Sequence, residues 1–183
     1  MNILNTILIF AFAFLAVFGE AALPGLRHLV GAQVDLLPVL MVYAALNASL
    51  GMVASLAIFG GLWFDALSAN PLGVTILPLF IVGFAIFIRR ELILRELSFA
   101  QIVLGTAASA LVPVLAVLLL LTVGESPLLG WGSLWQWLVM TAGGAVATPV
   151  IFAMFDWMHR AFGYQPRTET SFRPDREILR GRN

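Results

Sequence analysis

The residues of this chain that are best suited to chemistry are carboxylates at the ends of apolar segments. Residues 61–74 read GLWFDALSANPLGV, which places Asp65 between two apolar runs. A second carboxylate, Asp35, precedes the apolar run LLPVLMVYAAL. A carboxylate in such a position can accept hydrogen bonds from backbone amides or pair with a cationic group of a partner or ligand. Both interpretations are open for Asp65.

The residues that follow Asp65 indicate a tight turn. Ser68 and Asn70 are residue types that cap helix N-termini, Pro71 suits a first helical position, and Gly73 comes next in the same stretch. The first amides of the following helix would otherwise lack hydrogen-bond partners. Asp65, Ser68 and Asn70 therefore either satisfy this turn, or Asp65 faces a groove and meets a partner or ligand there.

The sequence contains no pattern typical of an enzyme or of a metal site. It lacks the HExxH, GxSxG and phosphate-loop motifs. The two histidines, His28 and His159, are predicted to lie at opposite membrane faces, where they cannot cooperate. There is no cysteine, which excludes disulfides and thiolate ligands. We predict no catalytic residue, no metal, no cofactor and no nucleic-acid partner.

The composition indicates a protein whose solvent is largely lipid. Of the 183 residues, 61% are hydrophobic and only 11% are charged, and the mean hydropathy is +0.98. A soluble domain carries about 25% charged residues. The carboxylates described above must therefore be positioned by membrane helices.

Six apolar segments approach the length of about 20 residues that a helix needs to cross a hydrocarbon core about 30 Å thick. They cover residues 3–18, 29–46, 49–67, 71–88, 101–123 and 134–158. The first lacks the basic region and the cleavage site of a signal peptide, so we interpret it as an uncleaved helix. We predict an all-α integral membrane protein with six transmembrane helices in residues 1–160.

Arginines predict the orientation of these helices. Arg89, Arg90 and Arg95 follow the fourth segment, and residues 161–183 form an Arg-rich tail. Basic segments near helix ends stay cytoplasmic, and six spans place both on that side; only Arg27 disagrees. We predict cytoplasmic N- and C-termini and a disordered tail attracted to anionic lipid.

Two further patterns each leave two interpretations open. RRELILREL, which begins with Arg89 and Arg90, reads as a short amphipathic helix in the headgroup plane that either anchors the bundle or contacts a cytoplasmic partner. Small residues four apart in the fifth and sixth segments either pack these helices together or bind a partner's single span. They are Gly105 with Ser109, Gly143 with Ala147 and Gly144 with Thr148.

The order of these features resembles a known family, the rod-shape-determining protein MreD of bacterial cell-wall elongation. The resemblance lies in VDLLPVLMVYAAL with Asp35, in GLWFDALSANPLG after two helices, and in the apolar helix that ends in IRREL. It covers most of residues 1–160. One departure is the turn NASLG between the second and third helices, which is usually basic in that family and carries no charge here.

The resemblance implies a non-enzymatic inner-membrane scaffold of the lateral elongation machinery that maintains rod cell shape. Its partners would be an MreC-like coiled-coil protein, the actin-like MreB filament, the glycosyltransferase RodA and the elongation transpeptidase. The candidate partner-binding residues are Asp35, Asp65, Ser68, Asn70, Pro71, Gly73, Arg89 and Arg90.

An alternative comes from another class of protein. The predicted bundle also resembles the six-helix substrate-binding subunits of energy-coupling-factor transporters, which implies a solute-binding subunit of a vitamin-type transporter. The Ala-x-x-x-Ala docking motif that such subunits usually carry on their first helix is absent. Four polar residues could still form a small ligand site in the outer half of the bundle: Gln33, Asp35, Asp65 and Asn70.

Overall fold

The computed structural model describes residues 3–22, 31–68, 70–93, 98–124 and 130–162. Within these ranges all regular secondary structure is helical, which confirms the all-α prediction. The helices are α1 (Ile3–Ala22), α2 (Leu37–Asn47), α3 (Leu50–Leu67), α4 (Ile76–Arg89), α5 (Ser98–Val123) and α6 (Trp131–Phe162). Arg27, His28, Arg95 and the tail beyond Phe162 lie outside the described residues.

Three of the helices are long and apolar enough to cross a membrane. They are α3, α5 and α6, with qualifying spans Leu50–Leu67, Ser98–Val123 and Trp131–Ala161. The apolar parts of the other three helices are shorter: Thr6–Glu20, Leu37–Asn47 and Ile76–Arg89. The membrane character predicted from composition is thus carried by three helices, and six spans stay a prediction.

Helix α2 forms the centre of the bundle. Every residue from Leu37 to Leu46 is buried, and α2 contacts each of the other five helices. The Tyr43 ring stacks on Phe155 of α6, with 4.2 Å between centroids. A helix that is apolar on all sides is expected in a core. With 11 residues α2 is about 16 Å long, well short of a hydrocarbon core.

Two helices begin later than predicted. The second was expected from residue 29, but residues 31–36 are not helical and α2 begins at Leu37. The fourth was expected from Pro71, but α4 begins at Ile76. The physical reason in the second case is Gly73, whose φ of +94° is incompatible with a right-handed helix. Residues 90–92 continue α4 as a turn, and residues 94–97 of the predicted amphipathic helix lie outside the described residues.

Hydrogen bonds between helix termini define the two ends of the bundle. The Glu20 carboxylate at the end of α1 accepts a hydrogen bond from the backbone N–H of Leu36, just before α2. The Arg90 guanidinium, just after α4, donates to the carbonyl oxygen of Ala48, just after α2. We call the end with Glu20 and Asp65 the carboxylate end and the end with Arg90 the arginine end.

Helices α5 and α6 pack closely through small residues. A Cβ atom on Gly105 would lie 2.6 Å from the carbonyl oxygen of Gly144, and the Thr148 hydroxyl donates to that oxygen over 2.7 Å. The Ser109 hydroxyl lies against Gly144. The prediction that these residues pack α5 on α6 is confirmed, whereas Gly143 packs on Val34 instead.

Candidate functional site

Asp65 lies in the last turn of α3, with 1% of its surface exposed. Its Oδ2 atom accepts hydrogen bonds from the backbone N–H of Gly73 over 2.8 Å and of Thr75 over 3.1 Å. Its Oδ1 atom accepts a hydrogen bond from the Thr75 hydroxyl. The carboxylate therefore binds the segment that precedes α4 to the end of α3.

The local sequence explains why this segment reaches Asp65. Gly73 adopts φ +94°, a region that favours glycine, and this turns its amide toward the carboxylate. Gly61 lets α4 approach, since a Cβ there would lie 3.0 Å from the backbone nitrogen of Ile76. A carboxylate before a helix N-terminus is also stabilised by the helix dipole. Asp65 thus accepts hydrogen bonds from these amides, and the start of α4 stabilises its negative charge.

The prediction that Asp65 satisfies the turn is confirmed, but its partners differ from those expected. The sequence pointed to Ser68 and Asn70 as N-cap residues, and this is wrong. Ser68 ends α3 instead, and its hydroxyl donates to the carbonyl oxygen of Asp65 over 3.3 Å. The decisive residue, Thr75, was missed. A threonine one residue before an apolar run was the available signal, but Pro71 is the stronger helix-start signal.

Part of the turn remains open at the surface. The side chains of Asn70 and Pro71 are exposed, and Leu72 has 70% of its surface exposed. We call these three residues the turn surface. Because Asp65 fixes the chain on one side of it, at Gly73, the turn surface projects from an ordered segment. A partner that binds this stretch would contact the exposed turn surface rather than the buried Asp65 carboxylate.

Asp35 lies at a second place on the carboxylate end. It has 3% of its surface exposed, and its Oδ1 atom accepts a hydrogen bond from the backbone N–H of Leu37 over 2.9 Å. Its neighbour is Glu20 of α1, which sequence reasoning missed because it ends an otherwise apolar helix. The Asp35 carboxylate is therefore hydrogen-bonded to the backbone of the chain itself at the start of α2.

Gln33 joins the same region to α6. Its backbone N–H donates to the Gln136 amide oxygen over 3.0 Å, and its carbonyl oxygen accepts from the Gln136 amide nitrogen over 2.7 Å. This pair of hydrogen bonds satisfies both polar atoms of the Gln136 side chain. Segment 31–36 is thus held against α6 as well as against α1.

Arg89 and Arg90 lie at the opposite end of the bundle. The Arg90 guanidinium donates to the carbonyl oxygen of Ala48 over 3.0 Å and lies 4.2 Å from the centroid of the Phe87 ring. Arg89 is exposed. The predicted binding residues are therefore not one site: five surround the turn after α3, Asp35 lies near the start of α2, and the two arginines lie at the arginine end.

An apolar groove of about 860 Å³ lies between the second half of α5 and the first half of α6. Its walls include Pro113, Val114, Leu118, Trp137 and Met140. None of the four polar residues predicted for a solute site lines it. The groove offers volume for an apolar group, but the residues expected to recognise a polar solute lie elsewhere.

Among the described residues, no group of three or more histidine, aspartate or glutamate side chains could hold a metal ion. No protein-family model matches this chain, and neither a curated protein nor a solved structure is significantly similar to it.

Proposed function

We propose that this chain is a six-span protein of the bacterial inner membrane that acts as a non-enzymatic scaffold of the lateral cell-wall elongation machinery. The observation that carries the proposal is the turn after α3. The stretch that resembles the MreD family forms an ordered turn there, fixed by three hydrogen bonds to a buried carboxylate. Maintenance of rod cell shape is the corresponding cellular function.

The turn surface suits the binding of a protein partner. Asn70, Pro71 and Leu72 are exposed beside an ordered chain. A pre-ordered surface loses little conformational freedom on binding, so more of the interaction free energy contributes to affinity. We assign this surface to an MreC-like coiled-coil protein, because it faces the cell exterior in the proposed orientation.

The proposed orientation places the arginine end in the cytoplasm. Arg89 is exposed there and Arg90 lies beside it, and arginines at short loops favour the cytoplasmic side. Arg89 and the Arg-rich tail would contact anionic lipid, at about 1 kcal/mol for each arginine close to the surface. The same end would face the MreB filament. RodA and the elongation transpeptidase complete the proposed set of partners.

The alternative is a solute-binding subunit of a vitamin-type transporter. The groove between α5 and α6 is the observation that favours it, because its volume of about 860 Å³ would admit a small molecule. Against it, the carboxylates of Asp35 and Asp65 accept hydrogen bonds from the backbone of the chain itself. The scaffold is therefore the better supported function.

Affinity purification in mild detergent tests the proposal. Wild-type protein should recover a coiled-coil membrane protein of the MreC type. Leu72→Ser, on the turn surface, should lose it. Leu92→Ser is the matched control, because Leu92 is 78% exposed at the arginine end and should retain it. Recovery of paired ATPases instead would support the transporter and contradict the scaffold.

A further inference from the structure

Two carboxylates from different parts of the chain meet at the start of α2. The Oε1 atom of Glu20 accepts a hydrogen bond from the backbone N–H of Leu36 over 2.7 Å. The Oδ1 atom of Asp35 accepts one from the next amide, that of Leu37, over 2.9 Å. Because these amides are consecutive, the Glu20 carboxylate, which joins the last turn of α1 to the start of α2, lies close to the Asp35 carboxylate.

This place is buried and only partly satisfied. Asp35 has 3% of its surface exposed. The second carboxylate oxygen of Glu20, Oε2, is buried and has no hydrogen-bond partner. A buried carboxylate oxygen without a partner is costly when it is ionised, and a second carboxylate beside it adds repulsion.

The neighbouring helices provide no counter-charge in the described part of the chain. Helix α1 packs on α2 and α3, and the acidic residue at this end of α3, Asp65, is bound to Gly73 and Thr75. The side chain that faces Glu20 from segment 31–36 is the neutral amide of Gln33, and the neutral amide of Gln136 on α6 is bound to the Gln33 backbone. The described cationic side chains, Arg89, Arg90, His159 and Arg160, belong to the C-terminal ends of α4 and α6, at the arginine end.

We propose that Glu20 and Asp35 share one proton, and that this carboxyl pair is a pH-sensitive latch between α1 and α2. The proton comes from solvent and resides on Oε2 of Glu20, which then donates a hydrogen bond to the Asp35 carboxylate. Protonation turns the unpartnered Oε2 atom into a hydrogen-bond donor and removes one of the two adjacent negative charges. When the proton returns to solvent, both carboxylates are charged and α1 is held less tightly.

The sign of the pH dependence follows from proton linkage. A pair that holds a proton when folded, but releases it when unfolded, stabilises the protein at low pH. This stabilisation is complete below about pH 4 and is lost as the pH rises through about 8, because burial and the neighbouring Asp35 raise the pKa of the Glu20 carboxyl to about 8. Glu20→Gln places a permanent donor and acceptor at the protonated position, so it should remove the dependence.

Thermal unfolding of the full chain in detergent, between about pH 4 and about pH 9, tests the latch. The wild-type Tm should fall as the pH rises, while the Glu20→Gln Tm should stay constant. Glu91→Gln, at an exposed position of the arginine end, should behave as wild type. A wild-type Tm independent of pH, with Glu20→Gln less stable throughout, would overturn the proposal, because it would show that both carboxylates are ionised in the folded protein.

A second measurement does not depend on a variant that folds. Infrared spectroscopy of the wild-type protein should detect the carbonyl stretch of a protonated carboxylic acid near neutral pH, and this band should disappear as the pH is raised. Deuterium exchange should shift the band. If only carboxylate bands are present near neutral pH, the pair does not hold a proton and the latch is wrong.

Discussion

At the scale of single residues, the Asp65 carboxylate determines how α3 connects to α4. It accepts hydrogen bonds from two backbone amides and one hydroxyl while its own surface is almost completely buried. Both amides are bound by the same oxygen, Oδ2, and the hydroxyl is bound by Oδ1. This division between the two oxygens decides which substitutions the turn can tolerate.

We expect Asp65→Asn to fold normally and Asp65→Ala to be strongly destabilised. The amide oxygen of asparagine can accept from Gly73 and Thr75, and its amide nitrogen can donate to the Thr75 hydroxyl, which is free to rotate. This change should cost about 1 kcal/mol or less, whereas alanine leaves buried donors without partners and should cost about 3 kcal/mol or more. Chemical unfolding in detergent measures both, with exposed Asp156→Ala as control. Equal losses for the two Asp65 variants would contradict this account.

The same asparagine variant separates a structural from an electrostatic role for Asp65. If the charge of Asp65 only serves the turn, cells with Asp65→Asn as the only copy should keep normal membrane abundance and normal width. Normal abundance with rounded cells would show that the charge meets a cationic group of a partner, whose loss costs several kcal/mol of association.

At the scale of secondary-structure elements, the crossing of α5 and α6 depends on glycines. The backbones approach so closely that added side-chain atoms meet the facing helix. Close approach is the main source of helix association in lipid, where no hydrophobic effect drives apolar helices together. The close packing at this crossing therefore holds α5 and α6 together.

We expect Gly105→Ala to destabilise the protein by about 1–3 kcal/mol, because its Cβ would collide with backbone and side-chain atoms of α6. Gly132→Ala is the matched control, since a Cβ there meets nothing within 4 Å. The control should be neutral or stabilising by up to about 1 kcal/mol. The thermal midpoint in detergent compares them, and a Gly105→Ala midpoint at or above that of the control would show that the crossing is looser than described.

The two neighbouring arginines should behave differently. Arg90→Ala removes the hydrogen bond to the carbonyl oxygen of Ala48 and the contact with the Phe87 ring, so it should cost about 1 kcal/mol. Arg89→Ala removes an exposed charge and should leave the free energy of unfolding unchanged. The same unfolding assay measures both, and an equal effect of the two substitutions would argue against a specific role for Arg90.

Element boundaries show what the sequence could and could not predict. The start and end of α3 follow from polar residues that interrupt a continuous apolar run. The starts of α2 and α4 do not. They depend on hydrogen bonds to Asp35, Glu20 and Asp65 from amides of mostly apolar residues, which composition does not distinguish from helical ones. Such long-range acceptors become visible only when the helices are assembled.

At the scale of the whole molecule, one short helix is surrounded by five others. The sequence predicted α2 as a membrane span equal to the rest, because its apolar residues are of the same types. It did not reveal that α2 is buried on every side. The division of the candidate residues among three places was also not predictable, since spacing along the chain does not indicate which helix ends face each other. The apolar, helical character of the bundle was predictable from composition alone.

Reporter fusions test the proposed orientation of the bundle. Fusions after Glu96 and after Asn183 should report the cytoplasm, and a fusion after Leu128 should report the exterior. The reason is that arginines follow α4 and α6, whose C-termini lie at the same end. A cytoplasmic fusion after Glu96 together with an exterior C-terminus would mean an odd number of spans between them, and six spans would be wrong; both fusions outside would mean that the orientation is inverted.

Cell width during depletion tests the scaffold proposal most directly. In the cells that encode this chain, loss of the only copy should widen and round the cells and abolish the insertion of new peptidoglycan along the side wall. Wild type should restore rods, and Leu72→Ser should not. Depleted cells that keep their rod width and side-wall synthesis, while uptake of a vitamin falls, would contradict the scaffold and favour the transporter.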